Sequence, residues 1–202
     1  MADDDEMPVT AHVIKPLTSE TFPAWLALAQ KHNGVWGGCY CSYFHDDTEH
    51  TVKSEYDRPT FKQRLVDEGV AHAALVFDGD DAIAWCEFGS PSELPGIYHR
   101  KEYDAGETNP APWRITCFFV DRDHRRSGVA REALDGALEL IAQAGGGEVV
   151  SFPNELPVGK KTSSSFLHNG TRAMFEKAGF TFERHIGKNK TVMRKTIAPA
   201  GA

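Results

Sequence analysis

Hydrophobic positions along this chain follow two periods. Trp113, Ile115, Cys117 and Phe119 alternate with Arg114, Thr116, Phe118 and Val120, which predicts a strand over Trp113–Val120. Ala130, Ala133, Leu134, Ala137, Leu138 and Ile141 recur at three and four, with Arg131, Asp135 and Glu139 on the outer side. That spacing predicts a helix over Gly128–Ala144, stopped by Gly145-Gly146-Gly147. Phe22–His32 and Pro59–Glu68 are shorter predicted helices, the first with Pro23 in its opening turn and Asn33-Gly34 at its end. His72–Asp78 and Ala82–Phe88 form a predicted hairpin around Gly79-Asp80-Asp81. Glu148–Phe152 is the next strand. A short helix at Thr171–Ala178, closed by Gly179, precedes a last hairpin, Phe180–Ile186 and Lys190–Ile197.

This order implies an α/β fold, a mixed sheet with helices on its faces and one parallel, right-handed strand–helix–strand crossover. Two stretches fit no period. In Val35–His45 the glycines oppose a helix and the aromatics oppose a solvated loop. Gly89–Pro112, rich in Pro, Gly and charge, has the length of a lid or binding loop.

The 202 residues and a 41% hydrophobic share suit one core, expected over residues 9–197. The acidic residues 1–8 and the tail 198–202 are expected to be loose. No apolar run is long enough to span a bilayer. The opening Met-Ala-Asp-Asp-Asp-Glu lacks the basic and apolar regions of a secretory signal, so the expected compartment is the cytoplasm. There Cys39, Cys41, Cys86 and Cys117 are expected as thiols. The net charge of −7 argues against nucleic acid as a partner.

The strongest strand and the strongest helix flank Asp121-Arg122-Asp123-His124-Arg125-Arg126-Ser127-Gly128-Val129-Ala130. A helix start offers unpaired N–H groups and a positive dipole end. Gly128 allows close backbone approach, Ala130 keeps the first turn small, and Arg125 and Arg126 add charge. Together they make an anion cradle. The pattern Gly-x-Gly-x-x-Gly is absent, and Gly159-Lys160 is followed by Lys161, which excludes a P-loop.

Arg125-Arg126-Ser127-Gly128-Val129-Ala130 resembles the Arg/Gln-x-x-Gly-x-Gly/Ala signature of the GNAT superfamily of N-acetyltransferases. Met174-Phe175-Glu176-Lys177-Ala178-Gly179-Phe180 is similar to that family's later helix ending in Gly-Phe before a strand. Order and spacing agree over Trp113–Ile197. Trp85–Gly89 and Phe152–Asn154 further resemble an actinobacterial-type subgroup. The resemblance implies a mostly antiparallel sheet whose two parallel strands splay apart, with helices on both faces and acetyl-CoA as cosubstrate. The cofactor contacts it implies are backbone at Phe118, Phe119 and Val120, the cradle Arg125, Arg126, Ser127, Gly128, Val129, Ala130 and Arg131, together with Asn154 and Phe175. A primary amine of a small molecule or peptide would attack the acetyl group directly in a ternary complex.

Direct attack needs proximity, a donor for the developing oxyanion and a base. A backbone N–H near Phe119 or Val120 is the expected donor. Arg114 stands where some relatives carry a Glu, and Phe175 where many carry a proton-donating Tyr. Glu87 is therefore the candidate base, its alternatives being a solvated strand residue or an ion pair with Arg114. Tyr40, with Tyr43 and Tyr98, is a candidate proton donor. Trp36, Cys39, Tyr40, Cys41, Tyr43 and Glu87 are the expected acceptor wall, with Asp46 and Asp47 nearby. No metal is expected, although Cys39, Cys41, His45 and His50 could form a zinc set. A non-catalytic acyl-CoA sensor and a zinc-binding interaction protein are the alternatives in other classes. A homodimer through the terminal hairpin stays open.

Overall fold

The computed structural model describes residues 11–45, 57–156 and 164–201. In chain order its strands are β1 (Val13–Pro16), β2 (His72–Asp78), β3 (Asp81–Gly89), β4 (Trp113–Val120), β5 (Gly147–Ser151), β6 (Thr181–Ile186) and β7 (Lys190–Ile197). Its helices are α1 (Phe22–Lys31), α2 (Arg58–Asp67), α3 (Arg100–Ala105), α4 (Val129–Gln143) and α5 (Arg172–Lys177). The periods of β4 and α4 placed both elements to within a residue, because α4 buries one face along its length and successive β4 side chains enter the two cores on either side of the sheet. The acidic N-terminal residues, Asp46, Asp47, His50 and the Gly159-Lys160 segment lie outside the described residues.

All seven strands form one sheet in the order β1-β2-β3-β4-β5-β7-β6. Every neighbouring pair is antiparallel except β4 and β5. One face packs under α4 and α5, with Phe118, Val129, Leu134, Ile141 and Phe175 in the core. The other face packs under α1 and the Val35–Phe44 segment through Trp25, Trp85, Cys117 and Phe119.

Two elements escaped the sequence reading. The four residues of β1 are too few to show a period, and Pro16 at its end is tolerated because β1 is an edge. Gly89–Pro112 is not a bare loop. It contains α3, whose Tyr103 packs edge-on against Phe152 at 5.0 Å. Ile97, Tyr103 and Ala111 form a third small core with Val150, Phe152, Ile186 and Val192.

The split between β4 and β5 positions the site. Their pairing covers only Trp113–Ile115 against Val149–Ser151. Ser151 is followed by Phe152 and Pro153, and proline has no N–H to extend a ladder. Beyond Ile115 the exposed edge of β4 meets a different segment. The Phe118 N–H donates to the His168 carbonyl at 2.6 Å, and Asn169 Nδ2 donates to the Thr116 carbonyl at 2.6 Å.

Candidate active site

A cleft of about 350 Å³ begins at the open edge of β4 and crosses the start of α4. Phe118, Phe119, Val120, Arg125, Gly128 and Ala130 line one side; Trp36, Leu167, Gly170 and Met174 line the other. Val129, Arg126, Arg131 and His124 complete it.

Gly128 is the N-cap of α4, with φ of 94°, and no side chain caps that end. The N–H of Arg131 turns back to the Gly128 carbonyl at 2.8 Å. The preceding amides of Val129 and Ala130 therefore face the cleft without a helical acceptor. A Cβ at Gly128 would meet no atom within 4 Å. The glycine is required by its left-handed backbone, not by a crowded fold. Asp121 holds the turn from below: Lys31 Nζ donates to it at 2.6 Å, and His32 Nε2 lies 3.2 Å away.

Strand pleating decides which β4 amides point into the split. Phe118 N–H does so, since it reaches His168, and Asp121 N–H points the other way, to the Ile83 carbonyl. Amides alternate, so Val120 shares the direction of Phe118, while Phe119 faces β3, where it pairs with Trp85. Of the two amides expected to polarise a carbonyl, only Val120 aims at the opening.

Several residues expected at the cofactor lie elsewhere. Phe175 is fully buried, edge-on to Phe118 at 5.9 Å and Phe180 at 4.9 Å, and Met174 occupies the cleft wall instead. The six-residue helix turns one side chain per 100° or so, and the core took the larger ring. Asn154 sits outside the cleft, its amide holding the Phe166 carbonyl at 2.5 Å. Ser127 turns its hydroxyl to the His124 carbonyl at 2.6 Å. Arg131 does line the cleft, but its guanidinium is engaged by Asp135 at 2.8 Å, one turn along α4.

Glu87 also departs from expectation. It is 1% exposed and absent from the cleft wall. Lys62 Nζ donates to its Oε1 at 2.7 Å and Thr116 Oγ1 to its Oε2 at 2.8 Å. Burial pushes its carboxyl upward, but the Lys62 charge opposes that and the carboxyl is held at about 2. A carboxylate so stabilised is a weak base for an ammonium. Arg114, weighed as its partner, donates instead to the Leu94 carbonyl at 2.9 Å.

Lys62 was not foreseen. Its three N–H groups reach Glu87, the Cys41 carbonyl at 3.1 Å and His45 Nε2 at 2.8 Å. His45 Nδ1 lies 2.9 Å from the Glu93 carbonyl. A carbonyl only accepts and an ammonium only donates, so His45 is neutral with its proton on Nδ1. Burial, then the Lys62 charge, lowers its pKa accordingly. The sequence signal was faint: Lys62 and Val66 share the buried stripe of α2 at i, i+4.

The Val35–His45 segment is an irregular aromatic turn. Val35, Trp36, Tyr40 and Cys41 all take positive φ, uncommon for side chains of that kind. Trp36 reaches the cleft, edge-on to Phe119 at 5.8 Å. Tyr40 packs under Gly34, where any Cβ would strike its ring. Tyr43 stacks on Tyr98 at 5.1 Å. Cys41 turns inward, its sulfur 3.1 Å from that of Cys117 and accepting from Trp85 Nε1 at 3.0 Å. Cys41 and His45 are thus committed to the interior, while Cys39 is half-buried. Among the described residues the thiols and carboxylates close enough to share an ion are Cys41, Glu87 and Cys117, a different set from the one the spacing suggested, and Lys62 already neutralises its carboxylate.

No helix among the described residues is long and apolar enough to cross a membrane. The family model for the acetyltransferase (GNAT) family matches residues 39–180. Among solved structures, the chain is similar to a histone acetyltransferase HPA2 and related acetyltransferase from Corynebacterium glutamicum. The TM-score is 0.52 at 14% identity, over 95% of this chain and 99% of that one. An N-acetyltransferase from Staphylococcus aureus superposes with a TM-score of 0.51 at 12% identity, over 93% and 99%. At such identities the likeness shows the shared fold. No curated protein sequence matches significantly. With the family model covering residues 39–180, from before β2 through β4, α4 and β5 to the end of α5, this chain belongs to the GNAT family of acetyltransferases, whose cosubstrate is acetyl-CoA.

Proposed function

We propose that this protein, acting through a single domain over residues 9–197, moves the acetyl group of acetyl-CoA to the primary amine of a small molecule or peptide by direct attack. The observation that carries the reading is the cleft itself, which joins an uncapped helix start to the open edge of β4. The amides of Gly128, Val129 and Ala130 would hold the pyrophosphate, with Arg125 and Arg126 supplying charge. The apolar wall of Phe118, Val129 and Met174 suits the pantetheine arm. The Val120 N–H would polarise the acetyl carbonyl.

The Glu87–Lys62–His45 cluster acts as a positioning element in this reading. It fastens the aromatic segment to β3 and leaves the amine proton to water at the cleft mouth. Trp36, Tyr40 and Tyr43 border the acceptor side. Burial raises the Tyr43 pKa, which keeps its hydroxyl protonated and able to donate.

The test mixes the protein with acetyl-CoA, a broad amine panel and a thiol-reactive dye. Amine-dependent release of free thiol is expected. Acetyl-CoA binding in a calorimeter with no turnover across the panel would instead mark a non-catalytic acyl-CoA sensor.

A further inference from the structure

The cleft stops at Phe118 on β4. Phe118, Phe119 and Val120 line it, whereas Thr116 and Cys117 do not. The phosphate turn lies at the other end, where Arg125 Nε donates to the Val120 carbonyl at 3.2 Å. A cofactor arm leaving that turn therefore passes Val120 first and runs toward Phe118.

The stretch Phe166–Gly170 closes the far end. The His168 carbonyl accepts the Phe118 N–H at 2.6 Å, and Asn169 Nδ2 donates to the Thr116 carbonyl at 2.6 Å. These bonds take up the outward edge of β4 below Val120. The stretch is also fastened from behind. Lys190 Nζ donates to Asn169 Oδ1 at 2.5 Å, and Asn154 Nδ2 to the Phe166 carbonyl at 2.5 Å. Asn169 is buried, so shifting this wall would strand polar groups away from water. Leu167, one residue before His168, lines the cleft beside the wall, with Met174 and Trp36 as neighbours in the lining. Trp36 itself lies between Phe119, at 5.8 Å, and the His168 ring, at 6.1 Å.

The room before the wall is small. Two residues of strand separate the Val120 N–H from the amide that His168 covers, a rise of about 7 Å. Carbon atoms touch at about 3.5–4.0 Å, so roughly half of that rise is left for a chain whose carbonyl sits at Val120. An acyl group of about three carbons fills it. A longer chain meets Leu167 and the His168 backbone, or turns toward Trp36 and stands in the path of the amine.

We infer that Leu167 and the His168 backbone form an acyl-length stop, which restricts the donor to short acyl thioesters, acetyl and propionyl, with the Leu167 side chain setting the limit. The inference rests on the acetyl-transfer reading above, with the Val120 N–H as its carbonyl donor. Leu167 accepts and donates nothing through its side chain; it acts by volume alone.

The experiment measures acetyl-, propionyl- and hexanoyl-CoA binding to the full chain by calorimetry. Wild-type protein should bind hexanoyl-CoA at least tenfold more weakly than acetyl-CoA, and propionyl-CoA almost as well as acetyl-CoA. In Leu167→Ala the hexanoyl chain gains apolar space, and its affinity should reach that of acetyl-CoA. Leu167→Trp should instead weaken propionyl-CoA relative to acetyl-CoA. Ratios taken within one variant cancel any general loss of affinity. Leu167→Val, a smaller change, should move the hexanoyl ratio in the same direction and decides the matter if the alanine variant is unstable. Hexanoyl-CoA bound by the wild type as tightly as acetyl-CoA, or a ratio unmoved by shortening Leu167, would overturn the stop while leaving the cradle in place. No binding of any thioester would overturn the cofactor reading and the stop with it.

Discussion

Two charged regions flank the same strand and behave oppositely. Beyond Val120, the start of α4 leaves its first amides and two arginines facing a cleft. Beside Thr116 and Cys117, the buried charges of Lys62 and Glu87 compensate one another, with His45, the Cys41 carbonyl and Thr116 taking the remaining hydrogen bonds. Unpaired helix-start amides next to open space suit an anionic ligand. Compensated charge in a sealed space fixes a backbone. The carboxylate weighed as the general base, Glu87, belongs to the second kind, although its strand position suggested the first.

The largest test of this contrast removes one half of the sealed pair. Lys62→Met leaves Glu87 buried and unpaired, and should cost about 3–5 kcal/mol. Thermal melting should show a fall of roughly 10 °C for a domain of this size. Lys62→Met with Glu87→Leu should recover most of the loss, and failure to recover would mean that the pair does more than balance charge.

In the open region, Gly128→Glu should weaken acetyl-CoA binding at least a hundredfold, or about 2.8 kcal/mol, beside a stability cost of about 1–2 kcal/mol from the left-handed backbone. It forces a left-handed φ on a residue with a Cβ and puts an anion where the pyrophosphate belongs. Calorimetry that finds unchanged affinity would remove the cradle from the site.

Phe175→Tyr puts a hydroxyl in a sealed core, and about 1–3 kcal/mol should be lost. The acetylation rate should not rise, because the ring faces Phe118 and Phe180 and not the cleft. A rate gain would show that the short helix α5 presents this side chain to the cofactor after all.

The smallest effect is a pH signature. The Glu87 carboxyl titrates lower in the folded protein, at about 2, than its ordinary 4.5. Its contribution is therefore complete above about 4.5 and fades as pH falls toward 2. Glu87→Gln lacks that titration, so the wild-type advantage in melting temperature should shrink over this window. A constant difference from pH 7 to pH 3 would mean that Glu87 is not held as a buried anion.

By itself the sequence determined the elements that carry a continuous period. The alternation of Trp113–Val120, the helical stripe of α4 and the Arg-Arg-Ser-Gly-Val-Ala turn between them are local. Local backbone preference and burial along each element are enough to specify them, and with them the sheet-and-helix fold and the uncapped start of α4. Only the tertiary structure decided the partners of Glu87, because Lys62 lies 25 residues away on an otherwise polar helix. It also decided that Phe175 turns inward, that Asn154 and Asn169 gather around Lys190, and that Val120, not Phe119, aims its amide at the split. Those outcomes depend on packing and strand register between distant segments, which leave no period in a single chain. The opening at the start of α4 was written in the sequence; what faces it across the split was not.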